Sequence, residues 1–362
     1  MNLGLTLGQI VKSARAAKQQ TGRSITGQVW DMARLRFAPG RIRPEAYFKY
    51  RLYTPGIPME RKRRFVDEWA RPSFYRFDDR RFYAMGTDKL LFYTLMRAWN
   101  LPAPRVIAVI HPWRVFADAE TLRDAAEIRS FFVRRGNNPF FIKRVDDIRG
   151  RGAALVRAVD PAAGLVRLGN GESVSLDDFV ARHTGTRDGG FVIQELARPH
   201  PDVAAVIGDR LATVRVMTFA HEGTFKVKRA LLRIPVGRSM TDNFAAGAAG
   251  NAYAAIDTET GRLITATRGT GLDQRELETH PDTGVPFARL TMPGWDSAIA
   301  DIRRAASYLP GLKMAGWDLA FTDQGAMLIE VNAAPGVVLP QLYFEPLMDA
   351  DTNALHAPEK AA

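Results

Sequence analysis

Alternation and helical periodicity divide the chain into a helical beginning and a strand-rich remainder. Leu5, Leu7, Ile10, Val11 and Ala14 recur among Lys12, Arg15 and Lys18, which predicts an amphipathic helix over 5–20. Residues 28–37 and 60–70 predict two more helices, and 45–58 a helix followed by a turn. Thr87 can cap a helix that runs to about Leu101-Pro102, and residues 105–110 (RVIAVI) follow as a strand. Residues 121–134 read as helix. Short strands are then expected at 139–144, 153–159 and 165–169, a helix over SLDDFVARHT, and a buried strand in GFVIQELA. Long strands in RLATVRVMTFA, TFKVKRALLRIPV, NAYAAIDTETGRLITA and WDLAFTDQGAMLIEVN complete the pattern, interrupted by one helix at 295–309. The expected class is α+β. The segments expected are a helical basic arm (1–85), a small α/β unit (86–135), two α+β lobes (136–200 and 201–348) and a tail (349–362).

Composition is that of an ordinary globular protein, 46% apolar and 25% charged over 362 residues. With no cysteine there is no disulfide, thiolate metal site or thiol nucleophile. No histidines fall at zinc-binding spacing. No long uncharged apolar run and no secretory leader pattern occur, so a cytoplasmic protein is expected. Residues 1–64 hold 14 Lys and Arg against three acids, Asp31, Glu45 and Glu60, which accounts for the whole net charge of +11. The arm is therefore either a wrap around the core or a contact for an anionic membrane surface or polyanion. Its aromatics Trp30, Phe37, Tyr47, Phe48, Tyr50 and Tyr53 read as packing residues and favour the wrap.

The stretch from Gly316 to Gly336 is apolar except for Asp318, Glu330 and Asn332. Glu330 and Asn332 share a strand face. A four-residue loop would pair Phe321 with Ala326 and separate Asp318 from Glu330. A three-residue loop, Asp323-Gln324-Gly325, would set Asp318 opposite Glu330. Opposed carboxylates repel unless a cation joins them. An oxygen-only donor set suits Mg²⁺, with Mn²⁺ as an alternative. A hairpin with one solvated polar face is the other reading of the same residues.

With these residues the chain resembles the ATP-grasp superfamily, in particular the sugar-transfer-associated ATP-grasp proteins, over about residues 45–345. The resemblance implies that Asp318, Glu330 and Asn332 bind two Mg²⁺ on ATP. It places Lys143, Lys89, Arg149, Gly150, Arg151 and Gly152 at the phosphates, and Gln194, Glu195 and Leu196 at the adenine. Arg215 and Asn243 fall in catalytic positions. His280, in HPDTG, matches a motif of unassigned role and is carried as a substrate-side residue. Two departures stand out: Ala245-Ala246-Gly247-Ala248-Ala249 where a double glycine is common, and Asp146-Asp147 beside the phosphates. The implied activity joins a small-molecule carboxylate to an amine or other nucleophile at the expense of ATP, with an acyl phosphate between. A kinase is the alternative. The family's name points to a sugar-conjugate acceptor; nucleic acid is not an expected partner.

Overall fold

The computed structural model describes residues 5–147, 152–184, 189–237, 250–343 and 345–356. Helix α1 (Leu7–Thr21) opens on a capping box between Thr6 and Gln9 and stops at Gly22, whose φ of 75° suits glycine. Helix α2 (Ile25–Arg36) starts under Ser24. The two helices meet through Gln28, whose buried Nε2 donates to the Ala14 carbonyl at 3.0 Å. Short helices follow: α3 (Pro44–Lys49), α4 (Met59–Arg63), α5 (Arg71–Phe74) and α6 (Ala84–Thr87). The single helix expected over 60–70 is broken after Arg63. Phe65 and Val66 are drawn into two different cores, and the Gln341 side chain takes both the N–H and the carbonyl of Val66. Helix α7 (Lys89–Ala98) is capped by Asp88, not Thr87, with the Leu91 N–H donating to the Asp88 carboxylate.

The first sheet holds β1 (Val106–Ile110), β2 (Glu120–Leu122), β3 (Phe140–Arg144), β4 (Ala154–Asp160), β5 (Leu165–Leu168), β6 (Ser173–Ser175) and β7 (Phe191–Glu195). Their order is β2-β1-β7-β3-β4-β5-β6, so strands before and after residue 135 share one sheet. Helices α8 (Ala125–Arg135) and α9 (Leu176–His183) cover it, with Phe132 of α8 stacked on Phe140.

After α10 (Pro201–Ile207), the second sheet is built from β8 (Thr213–His221), β9 (Thr224–Ile234), β10 (Ala252–Ile256), β11 (Leu263–Arg268) and β12 (Arg275–Leu277). Helix α11 (Trp295–Ser307) precedes β13 (Met314–Thr322) and β14 (Gly325–Ala333), and α12 (Ala350–His356) follows them. The order is β12-β11-β10-β9-β8-β13-β14. Val214, Val216, Leu232, Trp317 and Leu319 pack with Ile299 and Ile302 of α11 on one face. Strand alternation therefore sends Arg215, Arg233 and Asp318 to the other face.

The arm is bolted to this second sheet. Leu35, Tyr47, Phe48, Tyr50 and Tyr53 form a core with Tyr253 and Leu342. A Cβ on Gly271 would meet the Phe48 carbonyl at 2.7 Å, so backbones touch there. The wrap holds for these aromatics but not for Trp30 and Phe37, which are 63% and 89% exposed. They lie on the side of α2 turned away from the lobe.

Asp78 ties the arm to β13. Its Oδ1 accepts from the Met314 N–H at 3.2 Å, while Oδ2 is buried with no partner among the described residues. Burial pushes this carboxyl up to about 7, against the opposing pull of the Met314 and Lys313 N–H groups. The folded chain thus keeps a proton that the unfolded chain loses near pH 4, and stability falls as pH rises toward 7. Asp78→Asn keeps the acceptor and removes the charge. It is expected to raise the unfolding midpoint at pH 8 by the equivalent of about 1–3 kcal/mol and by much less at pH 5. Denaturant melts at the two pH values check this.

Candidate active site

The β13–β14 hairpin closes through a two-residue turn, with Thr322 opposite Gly325 and Phe321 opposite Ala326. Of the two loops considered, this is the Phe321–Ala326 pairing of the four-residue one, and the three-residue turn is not formed. Thr322 Oγ1 donates to the Gly325 carbonyl at 2.7 Å and accepts from the Gln324 N–H at 3.1 Å, which tightens the tip. On regular strands this pairing would send Asp318 and Glu330 to opposite faces. A bulge prevents it: Leu319 faces Leu328, Asp318 faces Glu330, and Ile329 is the extra residue. The Tyr93 hydroxyl donates to the Ile329 carbonyl at 2.8 Å, so helix α7 grips the bulge. Gly316 faces Asn332 one step beyond. A Cβ on Gly316 would meet Arg215 Cδ at 3.0 Å and Pro335 Cβ at 2.9 Å, so only a glycine lets the arginine stem pass.

One face of the sheet thus carries a row of charge. Arg215 lies directly across from Asp318 on β8, and its Nη2 donates to Oδ2 at 3.0 Å while Nε donates to Oδ1. Arg233, from β9, donates to the same Oδ2 at 2.6 Å. Burial alone would raise the Asp318 carboxyl, but the two guanidinium groups override it and hold it well below the usual carboxylate range. Glu330 behaves in the opposite way. Burial and the neighbouring Asp318 carboxylate push it up, with Lys89 and Arg215 opposing. Asn332 Nδ2 reaches Glu330 Oε1 at 3.3 Å and the Gly316 carbonyl at 3.4 Å.

The first sheet supplies cations to the same place. Lys143 on β3 is buried and donates to the Tyr93 hydroxyl at 2.7 Å. Burial lowers its ammonium to about 8 against the pull of Glu330 and Asp318. Lys89, first residue of α7, is lowered by burial too and donates to the Asp147 carbonyl. Asp147 therefore meets the lysine through its backbone, and Asp146 pairs with Arg144 at 3.2 Å. Gln194 is buried beside the Tyr93 hydroxyl. Glu195 is exposed and paired with Arg105 at 3.1 Å, with Leu196 following in the loop after β7. Gly152 sits in a turn at φ 78°.

His280 is not brought to this row of charge by its own hydrogen bonds. Its ring is fully buried, with Nε2 3.2 Å from the Pro235 carbonyl and Nδ1 accepting from the Asp282 and Thr283 N–H groups. The HPDTG motif is used here to build a turn. Arg149, Gly150, Arg151 and Asn243, with Ala245–Ala249, lie outside the described residues.

Arg233, Tyr93 and the Ile329 bulge escape the sequence reading. Arg233 carries a signal, an arginine between Leu232 and Ile234 in an apolar strand. Tyr93 lies one helical turn from Lys89, which puts the two on one face of α7.

The donor set fits a hard divalent cation. Two opposed carboxylates and a carboxamide supply oxygen only, and the burden that burial and Asp318 place on a charged Glu330 is what a shared cation would relieve. Asp318, Glu330 and Asn332 are the residues that could hold such a cation.

Residues 71–354 match the model of the sugar-transfer-associated ATP-grasp family. Among solved structures the chain is similar to D-alanyl-alanine synthetase A of Vibrio cholerae O1 biovar eltor str. N16961, at 12% identity and TM-score 0.42, over 76% of this chain and 66% of that one. It is similar to the D-alanine–D-alanine ligase of Helicobacter pylori at 10% identity and TM-score 0.41, over 76% and 62%. The L-amino acid ligase of Bacillus licheniformis matches at 15% identity and TM-score 0.36, over 84% and 51%. The chain thus spans less than two thirds of the length of each. No curated protein sequence matches it. The family match takes in both sheets and every residue of the charged row, and the chain belongs to the sugar-transfer-associated ATP-grasp family.

Proposed function

We propose that the protein is an ADP-forming ligase that activates a small-molecule carboxylate with ATP and joins it to an amine. The observation that carries this is the row Glu330–Asp318–Arg215–Arg233 on one sheet, met by Lys143 from the other sheet and by Lys89 from the start of α7. Four cations against two carboxylates suit a polyphosphate held between the sheets. Lys143 and Lys89 would orient its phosphates. Gln194, Glu195 and Leu196 would frame the adenine, and on the family resemblance Arg149, Gly150, Arg151 and Gly152 are proposed phosphate contacts and Asn243 a catalytic residue. When bound, Mg²⁺ supplies charge neutralisation at the phosphate oxygens.

Two anions must meet, and the chain's part is positioning and electrostatics. A carboxylate oxygen attacks the γ-phosphorus as the bond to ADP breaks, giving an acyl phosphate and ADP. The amine nitrogen then attacks the acyl carbon, phosphate leaves, and the amine's proton is lost as the amide forms. Arg215 and Arg233 would donate N–H groups to the charge that develops on the acyl phosphate. The family name favours a sugar-conjugate acceptor, in exopolysaccharide or natural-product assembly.

The test is a screen for phosphate release with ATP and Mg²⁺ over amino acids, uronic acids and fatty acids with pooled amines, followed by product mass. ADP and phosphate in equal amounts with an amide product are expected. ADP without free phosphate and a stable phosphorylated product would make the protein a kinase and overturn the ligase reading.

A further inference from the structure

The arm has an outer surface whose charge the fold does not use. Helix α1 contains no acid, and the one acid of α2, Asp31, is buried and taken by Arg23, Lys62 and Tyr47. Glu45 and Glu60 pair with Lys49 and Arg64. Lys12, Arg15, Lys18, Arg34, Arg36 and Arg41 are exposed and have no acidic partner among the described residues.

Leu5, Ile10, Met32 and Leu35 pack into the arm's core, but these helices also carry large apolar residues on the outside. The residues that α1 buries fully are Ala14 and Ala17, whereas Leu7 is 78% and Val11 41% exposed. On α2, Val29, Trp30 and the following Phe37 are exposed, and the Arg34 guanidinium lies over the Trp30 ring at 5.5 Å. The Gln28–Ala14 hydrogen bond joins the two helices. Leu7, Val11, Arg15 and Lys18 recur at four- and three-residue spacing on α1, as do Trp30, Arg34 and the following Phe37 on α2, so bases and apolar residues share a face of each. Large apolar side chains and unpaired bases are therefore interleaved on one exposed structure, outside the residues 71–354 shared with the family.

We propose that the α1–α2 surface docks on an anionic lipid bilayer. Phe37, Trp30, Leu7 and Val11 enter the boundary between headgroups and acyl chains, and the six bases face the lipid phosphates. Bases alone would serve a nucleic acid equally well. The exposed Phe, Trp, Leu and Val gain nothing from a phosphate backbone and do gain from leaving water, which favours the bilayer. The docking proposed is that of a helix pair lying on the surface; no helix among the described residues is long and apolar enough to cross a membrane. It stands independently of the ligase reading.

The test is co-sedimentation of the full-length protein with vesicles of phosphatidylcholine alone or with about 30% phosphatidylglycerol, at about 50 and about 500 mM salt, where screening lengths differ severalfold. Binding to the anionic vesicles at low salt is expected, weaker by about tenfold or more on neutral vesicles or at high salt. Arg34→Glu with Arg36→Glu and Arg41→Glu should lower it about tenfold. Trp30→Ser with Phe37→Ser should lower it severalfold with an unchanged melting temperature, as both side chains are exposed. No binding to anionic vesicles at low salt would overturn the proposal. So would binding that the Trp30→Ser/Phe37→Ser pair leaves untouched, or tighter binding to duplex DNA than to the vesicles.

Discussion

Asp318→Asn is expected to abolish ATP turnover and weaken the fold, whereas Glu330→Gln abolishes turnover and leaves the fold at least as stable. The two carboxylates face each other but differ in what else holds them. Asp318 is 2% exposed and receives three N–H groups from Arg215 and Arg233, whose side chains are only 15% and 14% exposed. Asparagine leaves both guanidinium groups buried against a neutral amide. Breaking a buried ion pair costs about 3–5 kcal/mol, and the retained oxygen puts this case at the lower end. Burial and Asp318 hold the Glu330 carboxyl above its ordinary value, so the folded chain keeps this proton to higher pH than the unfolded chain and stability falls as pH rises above the ordinary glutamate range. Glutamine removes that penalty, and the gain should grow with pH in metal-free buffer. Turnover should drop by about 10³-fold or more in both if, as proposed, each supplies a charged oxygen donor to the cation. Phosphate release and urea unfolding at pH 6 and 8 read the two effects separately. Wild-type turnover in either variant, or equal loss of stability in both, would remove the assignment.

Lys143→Met is expected to lower kcat/KM for ATP by about 100-fold while raising stability at pH 7. The lysine is buried and its ammonium is lowered to about 8, so it is charged in the free protein at neutral pH against the preference of its surroundings. The sign follows from that direction. Between about pH 8 and the ordinary lysine range the folded chain binds fewer protons than the unfolded one, so stability rises with pH there. An uncharged methionine captures that gain at any pH, by about 1 kcal/mol. A cation needed for ATP behaves oppositely: kcat/KM of the wild type should fall as pH rises through about 8, and the variant should lack that limb. A wild-type profile that stays flat to pH 9.5 would contradict the role of Lys143.

The chemistry of the site was legible where a polar residue broke an apolar pattern. Asp318, Glu330 and Asn332 stand out in this way, whereas Lys143 and Arg215 came only with the family resemblance, and the structure brings the five together. What sequence could not supply was the partner that fixes a local choice. The hairpin has two self-consistent turns, and the choice depends on Tyr93, 236 residues from the carbonyl it holds. The helix expected over 60–70 has good local propensity and breaks because Phe65 and Val66 belong to different cores. The arm's aromatics divide for the same reason. Tyr47, Phe48, Tyr50 and Tyr53 meet the lobe and Trp30 and Phe37 do not, since helical periodicity defines a face without naming what covers it. Asp88 outcompetes Thr87 as a cap while also pairing with Arg114 at 2.7 Å.

The bulge at Ile329 changes what the spacing between Asp318 and Glu330 means. Eleven residues separate the two acids, one more than a two-residue turn between regular strands allows for a shared face. The count records that a surplus residue exists and is silent about its address. A longer turn would keep the same arithmetic and the same pair of acids, yet it would leave Tyr93 nothing to hold. Placed inside the strand, the surplus carbonyl becomes a relay: Lys143 touches Tyr93, and Tyr93 touches the strand that bears Glu330. A change of length at the tip would then be felt at the lysine only if it moved that one carbonyl.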